Sequence, residues 1–292
     1  MNNWERFYGS DEKQIKSRRE KIRFNLYQKL RIPKKMRWYH RTYVMIYPNN
    51  DLSRALFISG TYEPNSLFVI KNMLSKGSVC FDIGANAGIF TLALSKWVGE
   101  QGLIVAFEPS SREFPLLEET ISLNRLSNVC LEKLAISNTT GTDQLNIAID
   151  KHGGQNTLFK RFAYEGVDSG KTETVEVQTI DAYISEKKIP RLDLIKLDIE
   201  GAELNAFLGA KQTLSTLRPV LIFEVVRSAL QKNGINLGEI ESLLITLGYK
   251  IFSIDEQTAH LTPKSIIETK DGNVVALPTE RLSHYSYLLT KH

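Results

Sequence analysis

The segment Asp82-Ile-Gly-Ala-Asn-Ala-Gly88 constrains the fold more than any other part of this chain. It ends a β-prone run, Val-Cys-Phe-Asp-Ile, and opens a helical pattern that continues through Trp97. Glycines at such a junction let the backbone approach a ligand closely. From Ser78 onward the pattern keeps alternating. A strand at 103–108 precedes a helix at 113–124, and a third strand is expected at 129–136. A fourth strand at 193–198 leads to a helix that starts near Ala202, and a fifth strand falls at 220–224. A helix at 237–247 stops at Gly248, a strand follows at 249–254, and 273–277 and 285–289 are the last β candidates. The fourth and fifth runs are almost wholly apolar, as parallel strands covered on both faces must be. Strand–helix alternation of this kind predicts an α/β domain. Residues 138–178 interrupt it with a polar insert that contains His152-Gly-Gly-Gln-Asn156.

The glycine turn reads Asp-x-Gly-x-x-x-Gly, not the Gly-x-Gly-x-x-Gly of a dinucleotide pyrophosphate site. Its carboxylate would repel phosphate. A ligand with positive charge suits it better, such as the ammonium of S-adenosylmethionine. The spacing therefore argues against a nicotinamide-dependent oxidoreductase. Glu108 closes the second strand and Pro109 follows it. A carboxylate there can accept hydrogen bonds from both ribose hydroxyls of a nucleoside. A third acidic group, Lys196-Leu-Asp-Ile-Glu-Gly-Ala-Glu203, ends the fourth strand, and Glu224 ends the fifth. In open α/β sheets the ligand lies outside the carboxyl ends of the central strands. Asp198 is expected to face the reacting centre. The plainer reading of Glu200 and Glu203 is that carboxylates favour a helix N-terminus.

On these residues the chain resembles the FkbM family of methyltransferases. The resembling words are 79–91, Ala106-Phe-Glu-Pro109, Ala135-Ile-Ser137, Thr179-Ile-Asp181, 193–203 and Leu221-Ile-Phe-Glu224, with Gly60-Thr-Tyr-Glu63 and Leu247-Gly-Tyr249 in support. The resemblance covers about residues 55–280 and leaves out the N-terminal arm. It implies a Rossmann-like class I methyltransferase fold, a seven-stranded and mostly parallel sheet with helices on both faces. It implies S-adenosyl-L-methionine as cofactor and a hydroxyl of a sugar, glycan or small natural product as acceptor. Asp82, Gly84, Ala85, Asn86 and Gly88 would line the methionine side. Glu108 and Pro109 would hold the ribose, Ala135 and Ile136 the adenine edge, and Asp198 would lie near the methyl. Glu63, Glu203 and Glu224 are candidates for binding the acceptor.

An alcohol is a weak nucleophile and benefits from a base within hydrogen-bond reach. Asp198 is the first candidate, with Glu200 and His152 as rivals. Gly153 and Gly154 suggest a mobile flap over the acceptor. No His/Cys spacing suits zinc, and no metal is assigned, although Asp198, Glu200 and Glu224 are hard oxygen groups that could hold magnesium. Methylation of nitrogen or a carboxylate, and a catalytically silent S-adenosylmethionine-binding subunit, are the alternative readings.

Charge divides the chain into parts. Residues 1–41 hold 13 Lys/Arg against 4 Asp/Glu, a net of +9, whereas the remainder has a net of −5. This basic arm carries Ile15, Ile22, Leu26 and Leu30 at helical spacing before Pro33, which predicts an amphipathic helix over 12–31. Packing on the domain or a second copy is one use for it, and a peripheral membrane surface is another. Residues 42–75 read as a short β-rich segment, with strands at 42–47 and 54–58 and a helix at 65–74. Residues 76–292 form the cofactor-binding domain. The acidic body argues against a nucleic-acid partner. No apolar run approaches membrane-spanning length. The first six residues lack the apolar core of a signal peptide, and Cys80 and Cys130 read as reduced core thiols. A cytoplasmic protein is expected.

Overall fold

The structure, a computed structural model, describes the backbone of residues 12–290 and the side chains of 19–39 and 41–290. The chain begins with α1 (Glu12–Gln28), an antiparallel ribbon of β1 (Lys34–Arg37) and β2 (Tyr43–Ile46), then α2 (Asp51–Ser59) and α3 (Pro64–Met73). Two expectations change here. Residues 54–58 are helical, because Asn50 Oδ1 accepts the Ser53 N–H at 2.8 Å and Gly60 closes the helix in the left-handed region at φ 75°. A good cap at each end outweighs a short β-prone run. Among the described side chains of α1, Phe24 and Tyr27 are buried, while Ile22 and Leu26, and Leu30 just after the helix, face solvent. Tyr27 stacks on Phe57 at 5.8 Å between ring centroids, and its hydroxyl donates to Ile46 O at 2.6 Å. Aromatic rings bury more surface than aliphatic chains, so they decide which side of the helix turns inward. The Ile15 side chain and the first six residues lie outside the described residues.

The alternating region supplies β3 (Val79–Ile83), α4 (Ile89–Val98), β4 (Leu103–Phe107), α5 (Phe114–Leu123) and β5 (Val129–Glu132). The insert gives β6 (Ala135–Ile136), β7 (Gly141–Ala148), a 3-10 turn at Asp150–Gln155 and β8 (Asp168–Gln178). There follow α6 (Ile180–Lys187), β9 (Leu194–Leu197), α7 (Glu203–Leu208), α8 (Lys211–Thr216), β10 (Val220–Val225), α9 (Arg227–Lys232), α10 (Leu237–Thr246), β11 (Tyr249–Ile254), β12 (Leu261–Pro263) and β13 (Gly272–Pro278).

The main sheet runs β12-β11-β13-β10-β9-β3-β4-β5. Its central strands β10, β9, β3, β4 and β5 are mutually parallel, and β13 is antiparallel to β10. It has eight strands, one more than the seven expected, and the addition is the three-residue edge β12. The expected strand at 129–136 splits in two. Its first half stays in the main sheet as β5, and Ala135–Ile136 joins β7 and β8 in a separate three-stranded sheet. Residues 285–289 form a 3-10 turn with one bridge, Leu261 to Leu289, in place of a strand. Cys80 is buried as expected, but Cys130 is exposed.

Side-chain parity builds two cores. Phe81, Ile83, Phe107, Ile195, Leu197 and Phe223 face Tyr183, Phe207, Leu214 and Leu244 from α6, α7, α8 and α10. Cys80, Ile104, Leu194 and Ile222 face Ile70, Phe90 and Leu94 from α3 and α4. Both faces of the sheet are therefore covered. The chemistry is confined to the strand ends.

The tips of β3 and β9 touch at Gly84. Its φ is +79°, and a Cβ there would stand 1.9 Å from Asp198 O. We expect Gly84→Ala to cost at least about 2 kcal/mol in urea unfolding, from strain and clash together. Gly60→Ala shares a positive φ but has open space around it, and should cost only about 1–2 kcal/mol. Equal losses for the two variants would refute the close approach.

Candidate active site

Four parallel strands, β4, β3, β9 and β10, end at one rim, and a cavity of ≈ 270 Å³ lies there. Eleven of the residues singled out from sequence line it: Gly84, Ala85, Asn86, Glu108, Pro109, Ala135, Ile136, His152, Asp198, Glu200 and Glu224. They come from the ends of β3, β4, β9 and β10, from β6 and from the insert, so the fold converges what the chain keeps far apart.

Glu108 sits under the glycine turn. Its Oε2 accepts the Asn86 N–H at 2.9 Å and its Oε1 accepts the Ser110 N–H at 3.0 Å. Burial raises this carboxyl to about 7, against the pull of those two N–H groups. A carboxylate has about four acceptor sites, so two remain for a diol in the cavity. Asn86 holds a positive φ of 48° to present its N–H this way. Next to Glu108, the side chains of Leu134, Ala135, Ile136 and Leu158 give the cavity an apolar wall that suits a flat ring.

The acidic end is built around Lys196, whose residue is only 3% exposed. Its Nζ lies 3.0 Å from Asp198 Oδ2, 4.0 Å from Asp82 Oδ1 and 4.7 Å from the centroid of Phe90. Burial alone would lower its proton affinity, but Asp198 and then Asp82 outweigh burial and raise it. Asp198, Glu200 and Glu224 each bring a carboxylate oxygen within 4.8 Å of the others. Glu200 is pushed up to about 8, first by burial and then by Asp198 and Glu203. Glu224 rises to about 10, first by burial and then by Asp198 and Glu200. Such a group favours a positive charge in its midst, organic or metallic. Glu200 also sits at a positive φ of 53°, a strained conformation for a residue with a side chain.

Four of the expected site residues do not line the cavity. Asp82 is fully buried beneath α4, where its Oδ2 accepts from Thr91 Oγ1 at 2.6 Å. Gly88 starts α4 at φ +82°, pressed against Leu117. Glu203 turns back, and its Oε1 accepts the Gly201 and Ile199 N–H groups at 3.3 and 3.4 Å, bracing the turn that carries Glu200. Glu63 is tied to Asn273 Nδ2 at 2.6 Å. A strand-end carboxylate fixes which strand it marks but not the side to which it points.

The cover was only partly visible in the sequence. His152 Nδ1 lies 2.6 Å from Asp51 Oδ2, which joins the insert to the first turn of α2 at the cavity. Gly154 rests on the glycine turn, where a Cβ would come within 2.9 Å of Asn86 Nδ2. Arg112 holds the insert from below by donating to Ala148 O at 2.6 Å and Asn156 Oδ1 at 3.2 Å. Tyr62, Tyr164, Asn50 and Asp51 also line the cavity and were not anticipated. Tyr62 adjoins Glu63 in a word already noted, but Tyr164 carries no sequence signal.

The family described as Methyltransferase FkbM domain matches residues 82–251. Methyltransferase sdnD of Sordaria araneosa is 28% identical over 221 residues, 68% of this chain and 83% of that protein. Methyltransferase 1 of Beauveria bassiana is 25% identical over 179 residues, 54% of this chain and 66% of that protein. The crystal structure of Methyltransferase FkbM from Methylobacillus flagellatus superposes with a TM-score of 0.46 at 17% identity, over 76% of this chain and 52% of that one. The chain thus spans about half the length of that structure.

The raised carboxyls make a stability prediction. Glu108, Glu203, Glu200 and Glu224 have folded values of about 7, 7, 8 and 10, all above the unfolded value near 4.5. Folding then binds protons. The stability these groups contribute is complete below that unfolded value and is lost as pH rises through the folded ones. The ligand-free protein should melt at a lower temperature at pH 9 than at pH 6, and Glu224→Gln should flatten the slope. A melting temperature that climbs across this window would contradict the protonated cluster.

Proposed function

This chain belongs to the FkbM methyltransferase family, and we propose that it methylates a hydroxyl of a sugar, glycan or small natural-product acceptor. It is a methyltransferase, a transferase of one-carbon groups, and its cofactor is S-adenosyl-L-methionine. The residues present fit that cofactor. Glu108 has acceptor sites left for ribose hydroxyls, Ala135 and Ile136 offer an apolar edge for adenine, and the Asp198 group suits a cationic methionine portion. When bound, the cofactor supplies a methyl group on a positively charged sulfur. The chain's own residues supply alignment and a base.

The observation that carries the oxygen reading is the placement of Glu200 in the cavity. Asp198 is engaged by Lys196 at 3.0 Å. Among the described residues Glu200 has no ion pair, and it lines the cavity with a carboxyl raised to about 8. A base of that strength is matched to an alcohol, whose proton must leave as the carbon–oxygen bond forms. Glu200 is thus the better base, and Asp198 the group that aligns the acceptor and the cofactor's charge. Glu224, Tyr62 and Tyr164 on the same wall offer hydroxyl and carboxyl partners to a polyol. His152, held by Asp51, belongs to the cover.

Transfer of labelled methyl to candidate glycans and hydroxylated small molecules tests this directly. Glu200→Gln should lower kcat by about 10²- to 10⁴-fold and leave the calorimetric affinity for S-adenosylhomocysteine nearly unchanged. As a base must be deprotonated, kcat/KM should fall as pH drops below about 8, and the variant should lose that limb. Near-normal turnover by Glu200→Gln would remove the base. Product label released by mild alkali would indicate a methyl ester and refute the ether.

A further inference from the structure

Because α1 buries Phe24 and Tyr27, its other side is left outward. Ile22, Leu26 and Leu30 recur there at four-residue spacing, 56%, 59% and 65% exposed, and Ile32 follows at 67%. The turn after the helix keeps the stripe in line, since the Lys29 N–H donates to Leu26 O and the Leu30 N–H to Tyr27 O. Of the ten large apolar side chains exposed among the described residues, four fall within 22–32. Scattered exposed apolar residues are ordinary, but a contiguous stripe marks a contact surface.

The surroundings of the stripe are cationic. Arg19, Lys21, Lys29, Arg31, Lys34 and Arg37 are all exposed, and Glu20 is the single acidic residue from 19 to 41. Glu20 is itself taken by Arg23 at 2.8 Å. Residues 42–292 carry a net of −5. A second copy seated on this stripe by two-fold symmetry would bring the two sets of cations together, which is unfavourable. An anionic lipid surface meets both requirements, since it takes aliphatic side chains into the headgroup–acyl boundary and attracts the flanking cations. No helix of the described residues is long and apolar enough to cross a membrane, so the contact is peripheral. We propose that α1 and the segment through Arg37 dock this protein on an anionic lipid surface, with Ile22, Leu26, Leu30 and Ile32 inserted. The acidic body would be repelled by the same surface, which orients the docked molecule. α1 packs on α2, and α2 starts with Asp51 and Leu52 at the cavity, so one element separates the docking helix from the site.

Co-sedimentation of the full chain with phosphatidylcholine vesicles, with and without phosphatidylserine, tests the proposal. Each cation near such a surface raises partitioning by about fivefold. Binding should therefore need phosphatidylserine, and Lys29→Glu with Arg31→Glu should weaken it by about tenfold or more. Leu26→Ser with Leu30→Ser leaves the charge unchanged and should weaken it by about tenfold or more through lost insertion. All four side chains are exposed, so both variants should keep the wild-type circular dichroism and melting temperature, which separates lost docking from misfolding. Equal binding to both vesicle types would overturn the proposal. So would a serine variant that binds like wild type, because the site would then read charge alone. A dimer in lipid-free solution that Leu26→Ser converts to monomer would assign the stripe to a second copy instead.

Discussion

The structure depends on one buried cation. Lys196 stands in β9, an otherwise apolar strand at the centre of the sheet, with its ammonium almost wholly removed from water. An isolated charge in such a place is very costly, and it is tolerated only when paired and hydrogen-bonded. Asp82 on β3 and Asp198 at the end of β9 supply the partners, and Phe90 of α4 offers its ring face. This requirement ties two adjacent strand tips to one helix. It also explains why the backbone must be glycine at position 84, where the two tips touch. The site stands on that junction. Asp198 is placed by Lys196, the turn after it carries Glu200, and Glu203 braces the turn from behind.

The architecture was largely readable from sequence because it rests on periodicity, and periodicity survives without coordinates. Apolar runs with acidic ends marked β3, β4, β9 and β10, and those ends marked the rim. What could not be read was direction. Asp82 shares its parity with Cys80, so its carboxylate enters the layer under α4 and meets Thr91 nine residues on. From sequence it was indistinguishable from a ligand group. The same gap appears in α1, which has apolar residues on two sides. The choice between them came from Phe57, on another helix, whose ring receives Tyr27. Residues 54–58 are helical for a related reason. A β-prone composition gave way to two caps that lie just outside the run.

The cover of the site has a different origin from its floor. The family match spans 82–251, yet Asn50, Asp51 and Tyr62 on the cavity wall precede it. His152 and Tyr164 lie within it but belong to the polar insert, the part of the chain that breaks the alternation. The groups suited to the cofactor sit on the regular strand ends, while these less regular segments close over the opposite side. Segments outside the main sheet can vary without disturbing its core. On the proposed reading, α2, the residues before α3 and the insert would meet the acceptor, held together by the His152–Asp51 pair and by Arg112.

Charge balance links the acidic cluster to the proposed chemistry. Without a cation, Asp198, Glu200 and Glu224 repel one another, and the cluster meets this by holding protons at Glu200 and Glu224. A positively charged occupant would replace that need and would leave Glu200 free to act as the proposed base. In the proposed reaction, transfer of the methyl group to a hydroxyl would release one proton from the acceptor as the positive charge is lost. Glu200 would receive that proton as the cation disappears, and the cluster would return to the charge it had when empty. A site of fixed negative charge would hold the cationic substrate tightly but would be left unbalanced after turnover. Crowded, half-buried carboxylates avoid this, because their proton affinity rises as the positive charge leaves.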